Sequence, residues 1–567
     1  MDKYAIGIDY GTLSARAVIL NVSNGKEFAT AVYKYCDGVI DKCLPGTNIY
    51  LEPDWALQNP SDYIEALKYT IPAVLKDSGI NPEDVIGIGI DFTACTMLPT
   101  KADGTPLCML TEWRNNPHAW VKLWKHHAAQ PEANKLNEIA FNEGYDELLA
   151  RYGGKISSEW FFPKVWQILD EAPDVYAAAD RILEAGDWVV WQLTGVETRN
   201  ACAAGYKAMW SKAGGFPPPE FFKALDPLLE TIVNEKMMTN ISPLGTKAGE
   251  ITSQVAEWTG LKAGTAVAVA NVDAHVSVPA ATVTDAGKMV LIMGTSICHM
   301  VVGESEEMIP GICGVVQDGI LPNFPGYEAG QSCVGDHFQW FIDSCVPEQY
   351  SKEARTNNIS LYQLLEEKAT FLRPGASGLL ALDWWNGNRS VLVDADLTGM
   401  ILGMTLLTKP EEIYRALIEA TAFGTRLIIE TFQNHGVPVT ELIATGGLPD
   451  RNKLLMQIYS DVTGINIFVS ESTQIGAVGS AMHGAVAAGS EKGGYDTIFD
   501  ASRNMARLSK ISYKPIPENK RIYDKLFSEY LSLHNYFGRS GNNVMKRLKI
   551  IKTNVLSQSY GLHRDIR

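Results

Sequence analysis

Two short turns in this sequence combine the residue types that can hold phosphate. The first is Asp9-Tyr10-Gly11-Thr12-Leu13-Ser14, between two β-prone runs. The second is Met293-Gly294-Thr295-Ser296, between the apolar stretches 288–293 and 297–302. Backbone N–H groups in a tight Gly-Thr turn form a nest for anionic oxygens, and the Thr and Ser hydroxyls add donors. Asp9, beside the first turn, is a hard oxygen ligand suited to Mg²⁺, directly or through water. Either turn alone reads as a plain hairpin whose hydroxyls satisfy their own backbone. As a pair they read as a phosphate site divided between two parts of the chain.

A third segment, Thr445-Gly446-Gly447, ends an apolar strand pattern and leads into a helix expected near Asp450. Glycines without Cβ let a flat base or ribose approach the backbone, and an exposed helix N-terminus favours negative charge. The stretch 473–485 carries small residues along one helical path, which close helix packing explains. Asp273 follows the apolar run Ala266-Val-Ala-Val-Ala270. It is either an acid presented at a strand end or the cap of the next helix. His275, two residues on, reads as a satisfied and partly buried histidine. Lys207 and Glu328 lie in apolar or glycine-rich surroundings, where they could hydrogen-bond polyol hydroxyls or form a structural ion pair. Neither G-x-x-x-x-G-K-[ST] nor a complete G-x-G-x-x-G is present, which disfavours a P-loop or Rossmann site.

These residues need a scaffold, and strand and helix signals alternate along most of the 567 residues, predicting an α/β chain with mixed sheets. A chain of this length is expected to build at least two cores. The two turn segments form a weak internal repeat, strand–turn–strand, and suggest two related units opening onto a shared cleft. The boundaries expected from it are 1–285, 286–504 and a helical C-terminal extension, 505–567. The Pro- and Gly-rich interval 211–250 reads as a surface excursion. Lys+Arg 49 against Asp+Glu 65 gives a net charge of −16, which argues against nucleic-acid and anionic-membrane partners. Nine scattered cysteines without a C-x-x-C pair suit reduced thiols. No secretory signal or spanning segment is read, so a soluble cytoplasmic protein is expected.

In order along the chain, the Asp9 turn, the Gly89-Ile90-Asp91 strand end, Asp273, Gly294-Thr295-Ser296, Gly446-Gly447 and the small-residue helix resemble the FGGY carbohydrate kinases, within the actin/hexokinase-like ATPase superfamily. Arg151 to Trp160, Cys202 to Trp210, Asn271 to His275, Gly311 to Val316, Tyr327 to Ser332 and Leu382 to Arg389 narrow the resemblance to the branch acting on L-ribulose. The departures are Lys164-Val-Trp166, with tryptophan one position early, and a longer segment after Met400.

The resemblance implies two ribonuclease-H-like (actin-like ATPase) domains around a central catalytic cleft, with ATP and Mg²⁺ as cofactors and a small sugar as substrate. It implies phosphorylation of L-ribulose to its 5-phosphate in L-arabinose catabolism. Another sugar or polyol of the family (D-ribulose, xylulose, glycerol) and a non-catalytic nucleotide sensor are the alternatives. On this reading Asp9 organises the metal, while Gly11, Thr12, Ser14 and Arg16 approach the phosphates from one domain. Gly294 and Thr295 approach them from the other. Gly335, Gly446, Gly447 and Asn452 lie near the adenosine. Asp273 is the general base, and Thr93, Ala94, Cys95, Lys207 and Glu328 line the sugar pocket with it. A homodimer is compatible with the resemblance.

Overall fold

The computed structural model describes residues 2–564. Its first half is built on a seven-stranded mixed sheet. The strands β1 (Tyr4–Tyr10) and β2 (Ser14–Asn21) form the expected hairpin, with Asp9 opposite Arg16, and β3 (Glu27–Lys34) extends it antiparallel. Helix α1 (Pro60–Ser78) crosses the sheet; Asn59 caps its start and Gly79, in the left-handed region, ends it. The chain then returns as β4 (Val85–Phe92), parallel to β1. Every residue of β4 is buried, the signature of a strand covered on both faces. After a lobe that includes α2 (Ala201–Lys207), strands β5 (Lys247–Glu250), β6 (Ala266–Ala268) and β7 (Asn271–Val272) complete the sheet. The order is β5-β6-β4-β1-β2-β3, with β7 also on β4. Helix α3 (Asp273–Ala280) follows β7 without a break.

The second half repeats this plan. The strands β8 (Lys288–Met293) and β9 (Ile297–Val302) form the second hairpin. Next come β10 (Gly314–Gln317), β11 (Pro325–Gln331), helix α4 (Gly335–Cys345) and the long helix α5 (Pro410–Asn434). They are followed by β12 (Glu441–Thr445), α6 (Gly447–Arg451), α7 (Lys453–Thr463), β13 (Ile467–Ser470), α8 (Ile475–Ala488) and β14 (Leu508–Tyr513). The sheet order is β10-β11-β9-β8-β12-β13-β14. In both sheets a hairpin and a third antiparallel strand lie on one side of the first strand, and two strands parallel to it lie on the other. That is the ribonuclease-H-like arrangement expected, twice.

Between the sheets lie α3 and α8, in one apolar cluster that also takes Val18, Val290, Met300 and Ile443 from strands of both. Helix α8 lies in sequence between β13 and β14 of the second sheet but rests on the first sheet through backbone contact. A Cβ at Gly7 would stand 1.7 Å from the Ala477 carbonyl oxygen, and one at Gly89 1.8 Å from that of Ser480.

A separate lobe carries a sheet of four short strands (Leu57–Gln58, Val121–Lys122, Met97–Thr100, Arg181–Glu184, in that order). The interval 211–250 is not only a surface excursion. Phe221, Phe222, Leu229, Ile232 and Met237 are buried in the core of this lobe, because the prolines start a short helix at Pro219 that turns its phenylalanines inward. The stretch 505–567, expected to be helical, opens with β14, an edge strand of the second sheet. It continues in α9 (Pro517–Gly538), whose Tyr523, Phe527 and Tyr530 are buried in the second core, and α10 (Val544–Arg564). All nine cysteines are free thiols. Among the described residues no helix is long and apolar enough to cross a membrane.

Candidate active site

Parallel strands bring their C-terminal ends to one level, and in open α/β sheets ligands lie beyond those ends. Here Asp9 of β1 pairs in register with Asp91 of β4, and Asp91 with Asn271 of β7. Asp273 comes two residues later, at the start of α3. Three acids are therefore gathered at one edge of the first sheet.

Asp91 is fully buried. One of its oxygens accepts from the Ser480 hydroxyl at 2.6 Å, while Oδ1 has no hydrogen-bond partner among the described residues. Asp9 is reached by Arg16, Nε to Oδ2 at 3.7 Å, and Arg16 also donates to Gln474 at 3.2 Å. Both carboxyls face Gly476, where a Cβ would lie 3.5 Å from each. Burial raises the affinity of both acids for protons. Arg16 opposes this at Asp9, whereas the neighbouring Asp9 reinforces it at Asp91. An orphaned buried carboxylate oxygen beside a second carboxylate is a hard-oxygen pair that fits a divalent cation. Among the described residues no group of three or more His, Cys, Asp or Glu could form a full protein cage. Mg²⁺ is typically held by one or two carboxylates, with phosphate oxygens and water completing its shell.

Asp273 is the first residue of α3 rather than its cap, a position that Val272 takes without a side-chain capping bond. Its Oδ1 accepts from the N–H of Ala274 at 2.6 Å, so it does serve the first turn of α3. Its carboxyl is nonetheless pushed up to about 7, by burial first and then by Asp9 and Glu328, against the Ala274 bond and Lys207. A carboxylate poised near neutrality is suited to taking and releasing a proton.

On the other side of Asp273, Lys207 of α2 and Glu328 of β11 form a buried ion pair across the two halves, with Nζ 2.9 and 2.8 Å from the two carboxylate oxygens. Burial pushes the Glu328 carboxyl up, but Lys207 and then His275 outweigh it and hold it well below the usual range. Burial likewise lowers Lys207, and Glu328 more than restores it. His275 is fully buried rather than partly so; its Nε2 stands 3.4 Å from Glu328, and among the described residues neither ring nitrogen makes a hydrogen bond. The ammonium of Lys207 also lies 5.5 Å from the centre of the Trp160 ring.

The loop Thr93-Ala94-Cys95 is fixed from within. Thr93 shares a hydrogen bond with Thr96 at 2.8 Å, and Cys95 adopts φ 57°. The Cys95 carbonyl accepts from the buried Lys164 at 2.7 Å. Ala94 is left as the partly exposed member.

The two phosphate-type turns match in detail. Gly11 N–H donates to the Ser14 carbonyl at 3.0 Å, and Gly294 N–H donates to that of Ser296 at 2.9 Å. Each glycine amide therefore closes its own hairpin, which leaves the amides of Thr12, Leu13 and Thr295, with no partner among the described residues, as the free backbone donors of the turns. The hydroxyls add further donors. Those of Ser14, Thr295 and Ser296 make no hydrogen bond among the described residues, and Thr12 Oγ1 only accepts, from Trp124 at 3.0 Å.

The second turn is also where the glycine segments meet. Gly335 N–H, at the start of α4, donates to the Gly294 carbonyl at 3.1 Å. Gly446, at φ 98°, packs so closely that a Cβ would stand 2.5 Å from the Met293 carbonyl oxygen. Gly447 faces open space, and the helix begins there rather than near Asp450. This cradle is open where a flat base or ribose would need room. Asn452, in contrast, is engaged by the fold: its oxygen caps α7 at Leu455 N–H (2.8 Å), and its amide donates to the Tyr414 hydroxyl (2.9 Å).

The site residues absent from the sequence-derived set are Asp91 and Ser480. Asp91 carried the same signal as Asp273, an acid ending an apolar strand. Nothing local marks Ser480, which arrives from a helix nearly four hundred positions away.

Comparison with known proteins gives a consistent picture. Residues 4–278 match the model of the FGGY family of carbohydrate kinases, N-terminal domain, and residues 289–488 match that of its C-terminal domain. The chain is 60% identical to a ribulokinase of Bacillus licheniformis over 95% of this chain and 98% of that one. It is 59% identical to a ribulokinase of Halalkalibacterium halodurans, over 97% and 98%. Among solved structures, a ligand-bound xylulose kinase from Lactobacillus acidophilus superposes with a TM-score of 0.77 at 17% identity, over 95% of this chain and 99% of that one. A Plasmodium falciparum glycerol kinase with ADP gives 0.72 at 15%, over 94% and 98%. At such identities the structural likeness establishes the fold alone.

Proposed function

This chain belongs to the FGGY family of carbohydrate kinases, and from that premise we propose that it transfers the terminal phosphoryl group of ATP to the 5-hydroxyl of L-ribulose. The observation that carries the reading is Asp273, an acid held near neutrality between the Asp9–Asp91 pair and the Lys207–Glu328 pair. A sugar hydroxyl is a weak nucleophile, so a carboxylate must accept its proton as the new O–P bond forms. Asp273 is that acceptor, and the Ala274 N–H bond fixes its orientation. Lys207 and Glu328 orient the sugar as donor and acceptor, and the loop Thr93-Ala94-Cys95 bounds the pocket.

Asp9 and Asp91 would hold Mg²⁺. Held there, the metal would supply positive charge to offset the charge that develops on the phosphoryl group. Thr12 and Ser14 donate to the phosphates from the first half, with Arg16 behind Asp9, while Thr295 and Ser296 donate from the second. Gly447 leaves the room in which the adenosine lies, with Gly446 and Gly335 shaping its edge. The substrate follows the ribulokinase names of the relatives, together with the branch-like stretches of the sequence.

The experiment is an ADP-release assay across L-ribulose, D-ribulose, xylulose and glycerol. The reading expects L-ribulose to give the highest kcat/KM. No turnover on L-ribulose, with efficient turnover on another of these, overturns the substrate while leaving the kinase.

A further inference from the structure

Arg389 closes the stretch Trp384-Trp385-Asn386-Gly387-Asn388-Arg389 and has no part in the site described above. Its loop is pinned to β11 by reciprocal hydrogen bonds at one residue. Ser390 N–H donates to the Gly330 carbonyl, and Gly330 N–H donates to the Ser390 hydroxyl, both at 3.2 Å. Gly330 lies two positions from Glu328, so the two residues present the same face of the strand. A Cβ on Gly330 would stand 3.1 Å from Cδ of Arg389 and 3.3 Å from its Nη1. The guanidinium therefore lies over the face of β11 that carries Glu328, beside Cys298, which pairs with Gly330 from β9.

What this guanidinium lacks is an acceptor. Its nearest ion-pair partner is Glu159, with Nη2 to Oε2 at 4.0 Å, and Glu159 also faces His127 at 3.6 Å. Among the described residues no hydrogen bond engages any of the five N–H donors of Arg389, although only 26% of its side chain is exposed. These nitrogens still reach solvent, so they are open to a ligand that brings acceptors. A neutral ketose held at Glu328 and Lys207 would bring hydroxyl and carbonyl oxygens to the same face.

Resting on the sugar-kinase reading, we propose that Arg389 is a further substrate-contacting residue whose guanidinium donates to oxygens of the bound sugar and helps set which ketose is accepted. Arginine suits this task because its planar fork reaches two oxygens at once, which a lysine cannot do.

The test is steady-state kinetics of Arg389→Gln, Arg389→Lys and Glu159→Gln, with ATP and sugar varied separately. Losing a hydrogen bond from a charged donor is expected to raise the sugar KM of Arg389→Gln by about 10- to 100-fold. Arg389→Lys should show a smaller rise, the KM for ATP should stay within about threefold of the parent, and the ranking of pentuloses should change. A sugar KM within about twofold of the parent in the folded variants overturns the proposal. So does an equal rise in Glu159→Gln, which would make Arg389 a clasp between the halves. If Arg389→Gln does not fold, Arg389→Lys decides by the same criterion. If the parent ignores L-ribulose, the substrate reading fails on its own, and the variants are compared on the sugar that is turned over.

Discussion

Asp273 is asked to be both part of the fold and a base, and the two demands pull against each other. Its ordinary value of 3.8 is raised to about 7 in the folded protein, by burial and then by Asp9. The folded state therefore binds a proton that the unfolded state has already released. This one group subtracts from stability increasingly as pH rises from near 4 to near 7, and by a constant amount above that. Asp273→Asn keeps the shape and removes the charge. The variant without ligands should melt about 1–3 °C above the parent at pH 8, with the gain shrinking toward pH 5. Thermal melts at the two pH values check this, and a gain independent of pH would mean that Asp273 is not held near neutrality. At this scale the sequence was informative about acids, because a carboxylate ending an apolar strand is conspicuous. It did not distinguish the amides within a turn: those of Gly11 and Gly294 close their own hairpins, whereas those of Thr12, Leu13 and Thr295 have no partner among the described residues. Asn452 caps α7, a role that needs only local geometry.

The element that organises the site is α8, because its first turn faces Asp9 and Asp91 and its Ser480 binds Asp91. It can do so only by lying directly on β1 and β4. A Cβ at Gly89 would stand 1.8 Å from the Ser480 carbonyl oxygen, whereas one at Gly447 would meet nothing within 4 Å. Gly89→Ala is therefore expected to destabilise the protein by at least about 1–3 kcal/mol through overpacking. Gly447→Ala should melt with the parent but bind ATP more weakly. Calorimetric melts and nucleotide titration separate the two, and a Gly89→Ala variant as stable as the parent would contradict the packing of α8. The small residues of this helix were legible as a packing face. Its partner was not, because periodicity shows which side of a helix is apolar but not which sheet it will cover. The strand β14 was hidden for a related reason: Leu508–Tyr513 is a half-exposed edge whose pattern is weak without β13 beside it.

The repeated strand–turn–strand unit was readable in the sequence, and the whole molecule follows from it: two sheets of one topology, with α3 and α8 packed between them. Contacts across the halves hold the lobe to the second sheet. They include Val315 N–H to the Arg151 carbonyl at 3.1 Å, the Arg151–Glu306 and Lys212–Asp318 ion pairs, and the buried Lys207–Glu328 pair. This architecture places one acid where groups from both halves converge. The central claim is that Asp273 there takes the proton from the sugar hydroxyl during phosphoryl transfer. The most direct test is kcat of folded Asp273→Asn at saturating L-ribulose and ATP. The account predicts a fall of about 10²- to 10⁴-fold with ATP affinity unchanged. A kcat within about tenfold of the parent would contradict it and leave Asp273 as a first-turn residue of α3 that accepts from the Ala274 N–H.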